Sequence, residues 1–81
     1  MNEPWAKVLC NLGVARTRCG KLAAGLEALE QSLEIDPYNT RSLRMAAACA
    51  NELGDKPKGR RYQKLAIFFG GFRGQGNQED D

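Results

Sequence analysis

The sequence predicts an all-α domain of antiparallel helix pairs, and three observations carry that expectation. Apolar residues recur at helical spacing through four stretches of the 81-residue chain. Short punctuation separates the stretches: Gly20, then Asp36-Pro37-Tyr38-Asn39, then Gly54-Asp55. Several features also repeat at one offset, with Leu9 recurring as Leu43, Gly20 as Gly54 and Gly25 as Gly59, each pair 34 residues apart. The same offset sets Leu12 over Ala46 and Leu33 over Ile67. The repeated glycines fall where a turn needs freedom around φ or where two helices approach closely, a coincidence that a generic four-helix bundle would not require.

The first helix is expected to start at Asn2, whose side chain can cap it, with Glu3 and Pro4 in a first turn that tolerates a missing backbone donor. Trp5, Val8, Leu9, Leu12, Ala15 and Cys19 then form its apolar stripe, and Gly20 closes it. The second helix, Leu22 to Ile35, sets Leu22, Leu26, Leu29 and Leu33, with the smaller Gly25 and Ala28, against a wetter side of Glu27, Glu30, Gln31 and Glu34. Asp36-Pro37 ends it, because proline restricts the residue before it and lacks an N–H. Asn39 or Thr40 can cap the third helix, which runs to about Leu53 and has Leu43, Ala46, Ala47, Cys49, Ala50 and Leu53 available for packing. The fourth begins near Lys56 or Pro57, passes through Tyr62, Leu65, Ala66 and Phe69, and is expected to fray at Gly70-Gly71. Residues 1–73 thus make one domain, and the polar, glycine-rich, acidic stretch 74–81 reads as a disordered tail.

Composition narrows the chemistry. Twelve basic and 10 acidic residues give a net charge of +2, too small to imply a polyanionic partner. The distribution is more pointed: Lys56, Lys58, Arg60, Arg61 and Lys64 form a basic run, and Glu79, Asp80 and Asp81 an acidic cluster. With no histidine, the common zinc patterns and histidine-based triads are excluded. Cys10, Cys19 and Cys49 are odd in number and dispersed; they read as packing groups in a reducing compartment rather than as a disulfide framework or a metal site. The stretch Phe69 to Gly76 is glycine-rich but lacks the lysine-serine or lysine-threonine ending of a phosphate loop. No pair of carboxylates stands out from surface patterning, so no catalytic residue, metal or cofactor is assigned. No stretch approaches the length of a membrane span, and the first ten residues lack the pattern of a signal peptide, which makes a soluble, cytoplasmic protein the default expectation.

Several of these residues resemble the tetratricopeptide repeat family. In a first unit, about 6–39, they are Leu9 three residues before Leu12-Gly13, Gly20 in the turn, Gly25 and Ala28 in the second helix, and the exit run Leu33-Glu34-Ile35-Asp36-Pro37-Tyr38-Asn39. Leu9 matches a position often held by tryptophan, and Gly25 one commonly held by alanine, where a small group is needed at a tight crossing. A second unit, about 40–73, carries Leu43, Ala46, Ala47, Gly54-Asp55, Gly59 and either Leu65 or Ala66; Pro57 is unusual there, and the closing acidic-proline signal is absent.

The resemblance implies a protein-interaction scaffold without catalysis, whose first and third helices line a concave groove. Lys7, Asn11, Val14, Arg18, Arg41, Arg44, Met45 and Ala48 are the implied peptide-binding residues, with Cys10, Thr17, Asn51 and Glu52 beside them. Asn11 and Arg41 fall on positions that, in family members holding a peptide's terminal carboxylate, supply hydrogen bonds to it. Met45 stands where those relatives carry a basic residue, and Arg44 is one position away. A carboxylate needs convergent donors, which arginine and asparagine provide. Repeat stacks normally need about three units and a polar cap. With two units visible, Tyr62, Leu65, Phe68, Phe69 and Phe72 are expected to mediate self-association, most simply as a two-fold homodimer. The alternative reading sets the basic run with Tyr62, Phe69 and Phe72 against single-stranded nucleic acid.

Overall fold

The computed structural model describes residues 3–74, with side chains over residues 4–70, and these form four helices: α1 (Glu3–Arg18), α2 (Leu22–Ile35), α3 (Thr40–Glu52) and α4 (Lys56–Gly74). The chain is all-α, a four-helix bundle. α1 packs chiefly on α2, α3 chiefly on α4, and α2 on α3. The core lies where α1, α2 and α3 meet: Cys10, Val14, Leu26, Leu29, Ala46, Cys49 and Ala50 form one buried cluster, flanked by the partly buried Leu22, Leu33, Met45 and Tyr62.

The helix ends follow from local chemistry. Asn39, not Thr40, caps α3: its Oδ1 accepts the Ser42 N–H at 3.1 Å. Asp36 ends α2, its own N–H donating to the Ser32 carbonyl and its Oδ1 accepting the Tyr38 N–H at 3.3 Å, so the residue before proline stabilises the turn itself. Gly20 and Gly54 sit at φ +85° and +91°, a left-handed conformation that costs glycine nothing.

The turns and crossings repeat with the 34-residue period. Lys21 N–H donates to Arg16 O and Gly25 N–H to Lys21 O; Asp55 N–H donates to Ala50 O and Gly59 N–H to Asp55 O. A methyl group on Gly25 would meet the Thr17 side chain at 2.5 Å and the Gly13 carbonyl at 3.0 Å, and one on Gly59 would meet the Asn51 side chain and the Ala47 carbonyl. Both crossings therefore require a glycine at the same register.

Three expectations are corrected. On α1 the buried residues are Ala6, Cys10, Gly13 and Val14, while Trp5, Val8, Leu12, Ala15 and Cys19 are exposed and Leu9 is half-buried. Close approach of α2 selects the small residues, so the bulky stripe faces away from the core. Val14, expected in the groove, is a core residue for the same reason. The fourth helix, expected to fray at Gly70-Gly71, runs through them to Gly74, since two glycines weaken a helix without breaking it. The remainder of the acidic tail, 75–81, lies outside the described residues, as does the side chain of Phe72.

Candidate functional site

Of the implied groove residues, Lys7, Asn11, Arg18, Arg41, Arg44 and Ala48 are exposed on α1 and α3, whereas Met45 is half-buried against the core. Arg41 and Asn11 meet: the Arg41 Nη1 donates to Asn11 Oδ1 at 3.3 Å, linking α3 to α1 at the surface. That bond uses one lone pair of the Asn11 oxygen, so the pair still presents the Asn11 amide N–H groups and the other Arg41 N–H groups as donors beside one remaining acceptor position.

The other residues divide between two depressions. The larger, about 570 Å³, runs between α3 and α4, with buried Ala47 and Ala66 at its base and exposed Arg44, Ala48, Asn51, Gln63 and Ile67 around it. The smaller, about 430 Å³, is lined by Pro4, Lys7, Val8, Asn11, Asp36 and Asn39. Arg44 and Ala48 thus belong to one depression and Lys7 and Asn11 to the other, while Arg18 lines neither. The α4 contribution was missed by the sequence reading, although Gln63, Ala66, Ile67 and Gly70 follow the i, i+3, i+4, i+7 spacing of one helix face. Among the described residues Arg44 is the single charge lining the larger depression; the base is methyl groups and the polar rim is otherwise amides. Such a lining suits an extended segment that inserts a small apolar group and directs an anionic group at Arg44.

On α4, Lys56, Arg60, Arg61 and Lys64 are exposed, but Lys58 is pinned: its Nζ lies 3.0 Å from Glu30 Oε2. The same oxygen accepts the Tyr62 hydroxyl at 2.7 Å, and the Arg61 guanidinium sits 5.6 Å from the Tyr62 ring centroid. Tyr62 is half-buried against the core and so is not part of an open apolar patch. Phe69 is likewise half-buried, its ring edge-on to Tyr38 at 4.9 Å. Leu65 and Phe68 are exposed, with the Phe68 ring 5.2 Å from that of Phe69. Of the three suggested stacking residues, Tyr62 and Phe69 therefore present no whole ring face to solvent, and the side chain of Phe72 lies outside the described residues.

Burial and the acceptor carboxylate of Glu30 push the Tyr62 phenol up from 10.0 to about 12. A raised folded pKa means that the neutral phenol is favoured by folding, so its contribution is complete below pH 10 and is lost as pH climbs towards 12. Thermal midpoints measured at pH 9 and pH 11.5 should fall further for the parent than for Tyr62→Phe. Equal falls would contradict the Glu30 pairing.

Among the described residues no cluster of three or more Cys, Asp or Glu side chains is placed to hold a metal ion, and no helix is long and apolar enough to cross a membrane. Cys10 and Cys49 are buried free thiols, Cys49 Sγ lying 3.1 Å from Thr17 Oγ1, and Cys19 is exposed. Comparison with known proteins gives no matching family model, no matching curated protein and no matching solved structure.

Proposed function

We propose that this chain is a protein-interaction module of the tetratricopeptide type, a non-enzymatic scaffold or adaptor that takes an acidic or carboxylate-terminated peptide along the α3–α4 depression and the neighbouring Arg41–Asn11 pair. The observation that carries the reading is the composition of that depression, an alanine base with Arg44 at its margin and the further donors of the Arg41–Asn11 pair one turn away. The family assignment rests on the 34-residue recurrence of glycine turns, glycine crossings and their hydrogen bonds.

Titrating a fluorescent pentapeptide library with free C-termini, together with its amidated twin, tests the reading. Acidic members should bind, and Arg41→Ala with Arg44→Ala should weaken them by about tenfold or more while leaving helicity intact, because charge-assisted hydrogen bonds contribute roughly 1.5–3 kcal/mol each. Unchanged affinity in the double variant would contradict the basic-groove mechanism. Equal affinity of the amidated twin would assign recognition to acidic side chains instead of the terminus.

The same reading includes self-association through the outer side of α4, now narrowed to exposed Leu65 and Phe68. Sedimentation equilibrium should show a concentration-dependent dimer that Leu65→Glu dissociates. Leu65 is a cleaner probe than Phe69, whose packing on Tyr38 would confound the result. A monomer mass at every concentration would remove this part of the proposal.

A further inference from the structure

The outward face of α1 carries a stripe that the core does not use. Trp5, Val8 and Leu12 are 55%, 50% and 39% exposed, and their spacing of three and four residues places them on one side of the helix. The 34-residue register of the turns relates this face to one on α3, carrying Val8, Leu12 and Ala15 onto Ser42, Ala46 and Cys49. Those three are 0% exposed, because α2 lies over them: Ser32 bonds Ser42, while Leu26 and Leu29 join Ala46 and Cys49 in the core cluster. Among the described residues there is thus one covered and one uncovered copy of the same helix face, together with the helix that does the covering.

Charge specifies the occupant. From Pro4 to Leu26 the chain carries Lys7, Arg16, Arg18 and Lys21 and no acidic residue. The helix that covers α3 is a leucine face flanked by Glu27, Glu30 and Glu34. A second copy of this chain is a poor complement. Its α1 would oppose the same cations, and its α4, carried over by the register, would place Arg60 and Gln63 where α2 places Leu26 and Leu29. We propose that the Trp5–Val8–Leu12 face is a second docking surface, separate from the α3–α4 depression, and that its occupant is an amphipathic helix of a partner protein, with apolar residues at i, i+3 or i+4, and i+7 and carboxylates along its flanks.

Trp5 is the sole tryptophan of the chain, so its emission reports occupancy of this face directly. The probe is a synthetic peptide with the sequence of residues 22–35, held helical by a hydrocarbon staple on its polar side, and a charge-reversed twin with lysine for each glutamate. The acidic peptide should give a saturable blue shift of Trp5 emission at low salt, and the lysine twin should bind about tenfold or more weakly. Val8→Glu should abolish the shift with the far-UV circular dichroism spectrum unchanged, since Val8 lies outside the core. Arg41→Ala with Arg44→Ala should leave it unaltered, which separates this surface from the groove. Trp5 emission unmoved by the stapled acidic peptide, or moved equally by the lysine twin, would overturn the proposal. A concentration-dependent blue shift of the chain alone, accompanied by a doubled mass, would assign the face to a second copy and overturn it as well.

Discussion

Replacing Leu29 with alanine should lower the stability of the fold by about 3–4 kcal/mol, the middle of the range of about 2–5 kcal/mol for a buried leucine that leaves a cavity. Leu29 is 0% exposed and stands at the crossing of α1 and α2, where a methyl group on Gly13 would come within 2.5 Å of its Cγ. Domains of this size hold only about 0.05–0.15 kcal/mol per residue, so the loss consumes much of the total. The same contact makes the two positions interdependent. Gly13→Ala should cost about 1–2 kcal/mol in the parent, overpacking outweighing the helix-propensity gain of about 1 kcal/mol. In the Leu29→Ala background the space is vacated, and the cost should vanish or reverse against the remaining neighbour, the Gly25 carbonyl at 3.0 Å. Urea unfolding of the four proteins gives the coupling energy, expected at about 1–3 kcal/mol. Additive effects would mean that α1 and α2 are not in close contact at Gly13.

Ser32→Ala should cost about 2 kcal/mol, and its partner Ser42→Ala less than about 1 kcal/mol, although both side chains are 0% exposed. The asymmetry follows from proton counting. Ser32 Oγ donates its single proton to the Ala6 carbonyl at 2.8 Å, so the 3.1 Å contact between the two hydroxyls must use the Ser42 proton. Removing Ser42 leaves Ser32 bonded to α1, whereas removing Ser32 breaks both links and strands a buried hydroxyl. The double variant should therefore be no less stable than Ser32→Ala alone. Equal costs for the two single variants would contradict the donor direction, and with it the polar relay that ties α1, α2 and α3 together.

Much of the backbone was legible in the sequence because its signals are local. Leu22–Ile35 was read to the residue, since Gly20 and Asp36-Pro37 bracket it, and the positive φ at Gly20 and Gly54 was anticipated from their shared period. The α1 face was misread for a non-local reason. Counting bulky apolar residues selects Trp5, Val8 and Leu12, whereas packing against α2 and the core buries Ala6, Cys10 and Gly13, with Gly13 at the crossing with Gly25. Burial on one helix is decided by its neighbour, which single-helix periodicity does not contain.

The site was legible to the same extent. Exposed cations on α3 follow from helix phase, so the exposure of Arg41 and Arg44 was legible, and the Arg41–Asn11 contact follows from the register of α1 and α3. Val14 and Met45 were drawn inward by the close packing that displaced the α1 stripe, and Tyr62 was taken out of the apolar patch by Glu30. The contribution of α4 to the larger depression required the α3–α4 crossing at Gly59 to be known.

The most direct test of the interaction-module account is a backbone amide shift map of the isotopically labelled chain titrated with the tightest acidic pentapeptide. The expected result is a contiguous set of perturbed amides at Arg41, Arg44, Ala48, Asn51, Gln63 and Ile67, saturating with one peptide per chain and absent from Arg60, Arg61 and Lys64. Perturbations confined to those three basic residues on α4, or scattered without saturation, would contradict it.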